Sequence, residues 1–213
     1  AAIDLWGLEK SLNKIDGMFA FALWDKKLKE LFLARDPLGE KPLYYGAVNG
    51  SFIFGSELKS FKPHPAFQFE LEKNAIALQM RHGFIPTPFS IYKGIKKLFP
   101  GSILQIKVNE KMEIINQDCK RFWSFKNIVK KGLNSPFLGS EIEAVSKMEN
   151  LLLESVKQQM RSDVPVGAFL SGGIDSSTIV ALMQKISYVP VKTFSIGFED
   201  KNYNEANYAH KVA

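Results

Sequence analysis

The chain has 213 residues, 46% hydrophobic and 23% charged, a balance that suits one or two globular domains able to bury a core. No apolar run is long enough to span a bilayer, no charged-then-apolar signal segment opens the chain, and a single cysteine, Cys119, excludes an internal disulfide. The net charge of +6 is spread along the chain apart from short pairs such as Lys96-Lys97 and Lys130-Lys131, which a solvated surface explains more cheaply than a nucleic-acid partner. A reducing, cytoplasmic compartment is the expectation.

From Asp16 to Ser56 the pattern predicts closely spaced strands. Met18 to Trp24 and Glu30 to Ala34 flank a charged loop and read as a hairpin. Pro37-Leu38-Gly39 turns the chain into a strand over Pro42 to Gly46, and Asn49-Gly50 predicts a tight hairpin before Ser51 to Gly55. Such long apolar strands imply a sheet covered on both faces. A short helix is expected from Ser56, with that residue as N-cap, and a longer one from Glu70 to His82, stopped by Gly83.

Ile85 to Pro88 and Pro100-Gly101 are loop material. Cys119 lies among Asp118, Lys120 and Arg121 and reads as a plain thiol, although neighbouring cations can lower a thiol pKa. His64, His82 and His210 lack zinc-ligand spacing. Lys126 to Ser140 is polar, with K-K-G and N-S-P turns, so residues 126–139 are expected to link a first domain, 1–125, to a second, 140–213. Ser140 and Glu143 form a capping box, and Val145, Met148, Leu152 and Val156 give the following helix a packing face.

The most informative stretch is V-P-V-G-A-F-L-S-G-G-I-D-S-S-T, Val164 to Thr178. It predicts a buried strand to Leu170, a Gly/Ser turn, and a helix with apolar residues at Ile179, Leu182, Met183 and Ile186. The first N–H groups of such a helix have no internal partner and sit at the positive end of its dipole. Gly172 and Gly173 allow close approach, and Ser171, Ser176 and Ser177 add hydroxyl donors, so phosphate is the natural ligand. No Lys or Arg lies between Asp163 and Gln184, which excludes the familiar lysine-bearing phosphate loop. Asp175 stands there instead, and a carboxylate beside phosphate calls for a cation, for which Mg2+ is suited. Val191 to Gly197 predicts a second buried strand, parallel to the first, which brings Ile196 to the same sheet edge as Ser171. The polar loop Phe198 to Asn204 leads to a helix-like stretch, with Glu199, Asp200 and Glu205 read as solvated acids.

The loop S-G-G-I-D-S-S resembles the pyrophosphate loop of the ATP pyrophosphatase enzymes. Four further motifs extend the likeness: G-M-F-A-F-A-L-W-D (Gly17 to Asp25), R-D-P-L-G-E-K-P-L-Y-Y (Arg35 to Tyr45), F-G-S-E-L-K (Phe54 to Lys59), and K-L-F-P-G-S-I-L (Lys97 to Leu104) followed by F-W-S-F. In this order they resemble the glutamine-hydrolysing asparagine synthetases, class II amidotransferases, and their relatives in surface-polysaccharide pathways. The resemblance implies an α+β glutaminase-like portion, an N-terminal-nucleophile αββα sandwich, followed by an α/β parallel-sheet portion of ATP pyrophosphatase type (adenine nucleotide alpha hydrolase-like).

The resemblance further implies that ATP and Mg2+ activate aspartate as an acyl-adenylate, and that ammonia from glutamine then displaces AMP, giving asparagine, AMP and pyrophosphate. It assigns ATP binding to Leu170, Ser171, Gly172, Gly173, Asp175, Ser176, Ser177 and Ile196, with Leu170, Phe169 and Ile196 on the adenosine side and Asp175 on the metal. Its partners would be the small molecules glutamine, aspartate and ATP, with no nucleic acid and no membrane; a homodimer is left open. In the family the glutaminase nucleophile is an N-terminal cysteine. Residue 1 here is Ala and the last stretch carries no helix stop signal, so the chain is expected to be a piece at both ends and to hydrolyse no glutamine. Alternatives are a related amidotransferase acting on another carboxylate, such as a sugar acid, a base-adenylating tRNA-modifying enzyme, and an inactive nucleotide-binding fragment.

Overall fold

The computed structural model describes residues 1–200 and 204–213 and divides into two compact units, Ala1–Asn134 and Ser135–Ala213. In the first unit, α1 (Ala2–Trp6) and α2 (Leu8–Leu12) precede strands β1 (Ala20–Asp25), β2 (Glu30–Arg35), β3 (Tyr44–Val48) and β4 (Ser51–Gly55). A 3-10 turn (Leu58–Phe61), α3 (Lys73–His82), β5 (Ile95–Lys97), β6 (Ser102–Val108), β7 (Ile114–Arg121) and α4 (Phe125–Asn134) follow. The strands form two antiparallel sheets, one ordered β1-β2-β6-β7 and the other β4-β3-β5.

Turn chemistry sets the registers. Asp25 pairs with Glu30 across the first hairpin, and the Asp25 carboxylate accepts the N–H groups of Lys27 and Leu28 at 2.8 and 3.0 Å, closing the turn. Val48 pairs with Ser51 around Asn49 and Gly50, whose φ values of 46° and 78° give the primed turn that the Asn-Gly pair predicts.

The long apolar run of β2 has a direct explanation. Leu33 lies opposite Leu104 and packs with Leu43, Tyr45, Leu98 and Ile106, on the side of the second sheet. Its neighbour Ala34 lies opposite Ile103 and packs with Leu12 of α2. Successive residues of a strand face opposite ways, so β2 is covered on both faces and neither parity needs polar residues. Beneath the second sheet, Ile53 and Ile95 pack with Phe61 and Phe67.

Arg35 and Asp36 pin the turn that leaves β2. Arg35 is 8% exposed and donates to the carbonyls of Lys41 (2.8 Å), Leu98 (2.7 Å) and Gly39 (2.6 Å). Asp36, 1% exposed, accepts the N–H groups of Glu40 and Lys41 at 2.9 Å each. Burial lowers the Arg35 pKa from its ordinary value, with Asp36 opposing.

Two local expectations change. The turn after Ser56 is capped by Glu57 without a side-chain hydrogen bond and is a 3-10 turn, too short to give Ser56 a helical amide to accept from. The polar stretch expected as a linker begins as the helix α4, whose apolar residues Phe125, Ile128, Val129 and Leu133 fall three or four apart.

The second unit consists of α5 (Glu141–Gln159), β8 (Gly167–Phe169), α6 (Ile174–Ile186), β9 (Lys192–Phe194) and α7 (Ala206–Val212). Ser140 and Glu143 form the reciprocal capping box. Val156, Leu182 and Met183 make a buried cluster, with Leu152 and Ile186 packed against it. Val145 and Met148, at the front of the same α5 stripe, are exposed. Strands β8 and β9 pair in parallel, Gly167 with Lys192 and Phe169 with Phe194. They are shorter and more open than the sequence pattern predicts. Phe169 and Phe194 are exposed, because Ala168 is the strand residue that packs towards the buried clusters.

Candidate nucleotide-binding loop

The parallel register continues one step past the last strand pair. Leu170 N–H donates to the Phe194 carbonyl at 2.8 Å, and the Ser195 hydroxyl donates to the Leu170 carbonyl at 2.6 Å. Ser171 and Ile196 therefore leave the same end of the two strands, the carboxyl end, where ligands of open α/β sheets bind. Leu170 is 2% exposed and packs with Val180 and Ala209, and both of its backbone groups are already hydrogen-bonded. Phe169 and Ile196, at 80% and 66% exposure, are apolar side chains open near this edge.

Between strand and helix the chain turns on Gly172, at φ +82°. A Cβ there would lie 2.5 Å from the Tyr208 carbonyl carbon and 2.6 Å from the Ala209 nitrogen. Glycine is thus required twice, by its dihedral and by the backbone of α7. The serines brace the turn. The Ser171 and Ser176 hydroxyls lie 2.9 Å apart, Ser176 Oγ accepts from Ser171 N–H at 3.3 Å, and Ser171 Oγ accepts from Gly173 N–H at 3.2 Å.

Gly173 is the N-cap of α6 and provides no side-chain hydrogen bond, and the first helical bond runs from Ser177 N–H to the Gly173 carbonyl at 3.0 Å. The amides of Ile174, Asp175 and Ser176 precede that bond, at the positive end of the helix dipole. The Ser177 hydroxyl is buried and has no hydrogen-bond partner among the described residues. A buried polar atom without a partner costs about 1–3 kcal/mol, so its presence beside an uncapped helix start points to a ligand oxygen.

Asp175 is exposed in the first turn of α6. Among the described residues no three or more His, Cys, Asp and Glu side chains gather to hold a metal ion. A single exposed carboxylate is nevertheless a donor that suits Mg2+, an ion that keeps several of its waters and needs few protein ligands. Glu205 caps α7 through backbone alone and Glu199 is exposed; of the loop read as Phe198 to Asn204, residues 201–203 lie outside the described residues.

Sequence reasoning missed two groups that shape the site, the Ser195 hydroxyl and the α7 backbone at Tyr208 and Ala209. Ser195 was detectable from the register of the parallel strands. The packing of α7 had no signal, because the contact is backbone to glycine.

Cys119 lies exposed on β7, and the partial cover of its thiol, with Asp118 next, raises its pKa above the ordinary value against a smaller effect of Arg121. A raised thiol is a poorer source of thiolate, which is the nucleophilic form. No helix among the described residues is long and apolar enough to cross a membrane.

A family model described as a glutamine amidotransferase domain matches residues 1–123, the two-sheet unit up to Trp123. The chain belongs to that family. A model described as asparagine synthase matches residues 147–213, which carry the loop. Asparagine synthetase [glutamine-hydrolyzing] 1 of Bacillus subtilis is 37% identical over 205 residues, covering 96% of this chain and 30% of that protein. Putative asparagine synthetase [glutamine-hydrolyzing] 2 of Methanocaldococcus jannaschii is 39% identical over 206 residues, covering 92% and 36%. The chain spans about a third of the length of these curated relatives. Amidase chyE of Penicillium rubens is 32% identical over 216 residues, covering 95% of this chain and 30% of that protein. The amidotransferase assignment accords with the order of motifs from Gly17 to Phe125 and with the mixed α/β architecture of antiparallel sheets.

Proposed function

We propose that the loop Ser171–Ser177 binds the pyrophosphate portion of ATP, and that the protein to which this chain belongs is a glutamine-hydrolysing asparagine synthetase. The observation that carries the loop assignment is the unpartnered Ser177 hydroxyl beside an uncapped helix start. The amides of Ile174, Asp175 and Ser176 and the Ser177 hydroxyl would receive phosphate oxygens, with Gly172 and Gly173 admitting them close to the backbone. Phe169 and Ile196 supply exposed apolar surface for the adenine ring, and the buried Leu170 supports the strand end from which the loop departs.

Asp175 would hold Mg2+ against the phosphates, where the ion supplies neutralisation of charge on the departing pyrophosphate. The loop amides serve the same end without reorganising. Adenylation answers a chemical need. A carboxylate is a poor electrophile; attack of one of its oxygens on the α-phosphorus of ATP would release pyrophosphate and leave an acyl-adenylate, a mixed anhydride from which ammonia displaces AMP. The relatives are named as glutamine-hydrolyzing, so glutamine is the ammonia source in this reading, and the amidotransferase unit is the portion of the whole protein's glutaminase part that this chain carries. The domains follow the same reading: an amidotransferase part to residue 125, a connector over 126–139 and the start of an ATP-binding part from 140.

The whole protein, supplied with ATP, Mg2+, glutamine and aspartate, is expected to yield asparagine, AMP and pyrophosphate by mass spectrometry. AMP and pyrophosphate only with a different carboxylic acid would keep the adenylation and replace the acceptor. ADP in place of AMP would overturn the loop assignment.

A further inference from the structure

Strands β8 and β9 are short, and beyond their last pair, Phe169 with Phe194, a side chain takes part in holding their carboxyl ends together. In a parallel ladder the bonds cross between the strands at even spacing, to and fro. Leu170 N–H donates to the Phe194 carbonyl at 2.8 Å, so the next bond of the series would run from Ile196 N–H back to the Leu170 carbonyl. That bond is not made. The Ser195 hydroxyl donates to the Leu170 carbonyl in its place, at 2.6 Å.

The replacement has two consequences. The Leu170 carbonyl is satisfied, so the strand ends stay tied and the loop departs from a fixed point. The Ile196 N–H, just past the end of β9, makes no hydrogen bond among the described residues, and Ile196 is exposed. A backbone N–H is a single donor, which can serve the ladder or a ligand but not both. One more ladder step would have consumed it.

Ser195 itself has nothing to give a ligand. Its hydroxyl carries one proton, and the Leu170 carbonyl receives it. Any effect on a bound molecule therefore passes through Leu170 and Ile196.

We infer that Ser195 is a positioning residue of the nucleotide site: by standing in for the ladder bond at Leu170, it keeps the Ile196 amide free to donate on the adenine side. The ligand in this statement rests on the reading of Ser171–Ser177 as the pyrophosphate loop. The state of the Ile196 amide does not, and it can be measured without any ligand.

Amide exchange of the unliganded whole protein, resolved to single residues, is the first test. The Ile196 amide is expected to exchange freely. In Ser195→Ala the Leu170 carbonyl is left to the Ile196 N–H, the ladder lengthens by one bond, and exchange at Ile196 is expected to slow by about tenfold or more. Ser195→Thr keeps a hydroxyl and is expected to match the unchanged protein. A protected Ile196 in the unchanged protein, or no slowing in Ser195→Ala, would overturn the inference.

Calorimetric titration with ATP and with pyrophosphate, each with Mg2+, is the second. Ser195→Ala is expected to raise the Kd for ATP about fivefold and to leave that for pyrophosphate within about twofold, because pyrophosphate meets the loop alone. Equal losses for both ligands would make Ser195 a plain support of the loop and overturn its role at Ile196. Unchanged affinity for ATP, with the unchanged protein binding both ligands, would overturn this inference alone. Failure of the unchanged protein to bind either ligand would overturn the loop reading and this inference with it.

Discussion

Buried side chains hold this backbone by saturating it. The Arg35 guanidinium supplies the three carbonyls of Gly39, Lys41 and Leu98 in a site 8% exposed. Arg35→Ala is expected to cost about 3 kcal/mol in urea unfolding, because the carbonyls remain buried without a donor. A loss under about 1 kcal/mol would mean that the Pro37–Lys41 turn relaxes to reach solvent. Gly172 is constrained by space as well as by dihedral. Gly172→Ala adds a methyl 2.5 Å from the α7 backbone at φ +82°. A melting temperature lower by several degrees is expected, consistent with about 2 kcal/mol or more of strain. The Gly173→Ala control, with φ −73° and its nearest neighbour at 3.3 Å, is expected to fall much less.

At the scale of elements, capping chemistry makes one helix pH-sensitive. Glu143 accepts from Ser140 N–H at 2.7 Å and from the Ser140 hydroxyl at 2.9 Å, and these bonds, the backbone one first, hold its carboxyl below the ordinary range. A carboxyl with a lowered folded pKa stabilises the fold fully above its unfolded value and loses that contribution as pH falls through the folded one. Helix α5 is therefore expected to weaken on acidification, and Glu143→Gln is expected to flatten that dependence in circular dichroism melts from neutral pH to about pH 3. An unchanged slope would assign the acid sensitivity to other carboxylates.

The same capping box was legible in the sequence, as were the Asn-Gly hairpin and the Gly83 stop, since each is fixed by residues a few positions apart. What escaped was set by distant partners. Leu170 is packed with Val180 of α6 and Ala209 of α7, and Val145 continues an apolar stripe without joining the buried cluster. The length of β8 was overread because apolar character from Val164 to Leu170 says nothing about how far β9 pairs with it. The loop was legible in its chemistry, a glycine turn, serines and no lysine. Its bracing by Ser195 and α7 depended on tertiary register.

For the molecule as a whole, each of the five buried clusters among the described residues lies inside one of the two compact units. Stability added at the loop therefore belongs first to the unit that carries it. A ligand that binds only the folded state adds about 2.7 kcal/mol at a hundredfold excess over its Kd. ATP with Mg2+ is expected to slow amide exchange in β8, α6 and α7, with Ser177→Ala and Asp175→Ala weakening the effect. Exchange in β2 and β6 is expected to stay as it was. The same 213-residue chain is expected to release no glutamate from glutamine, because its one thiol is raised in pKa and sits on an outer strand. Nucleotide protection without glutaminase activity would separate the two chemistries as the two units suggest. Protection spreading equally into β2 and β6 would instead make the units one cooperative body, and would move the energetic boundary away from the break after Asn134.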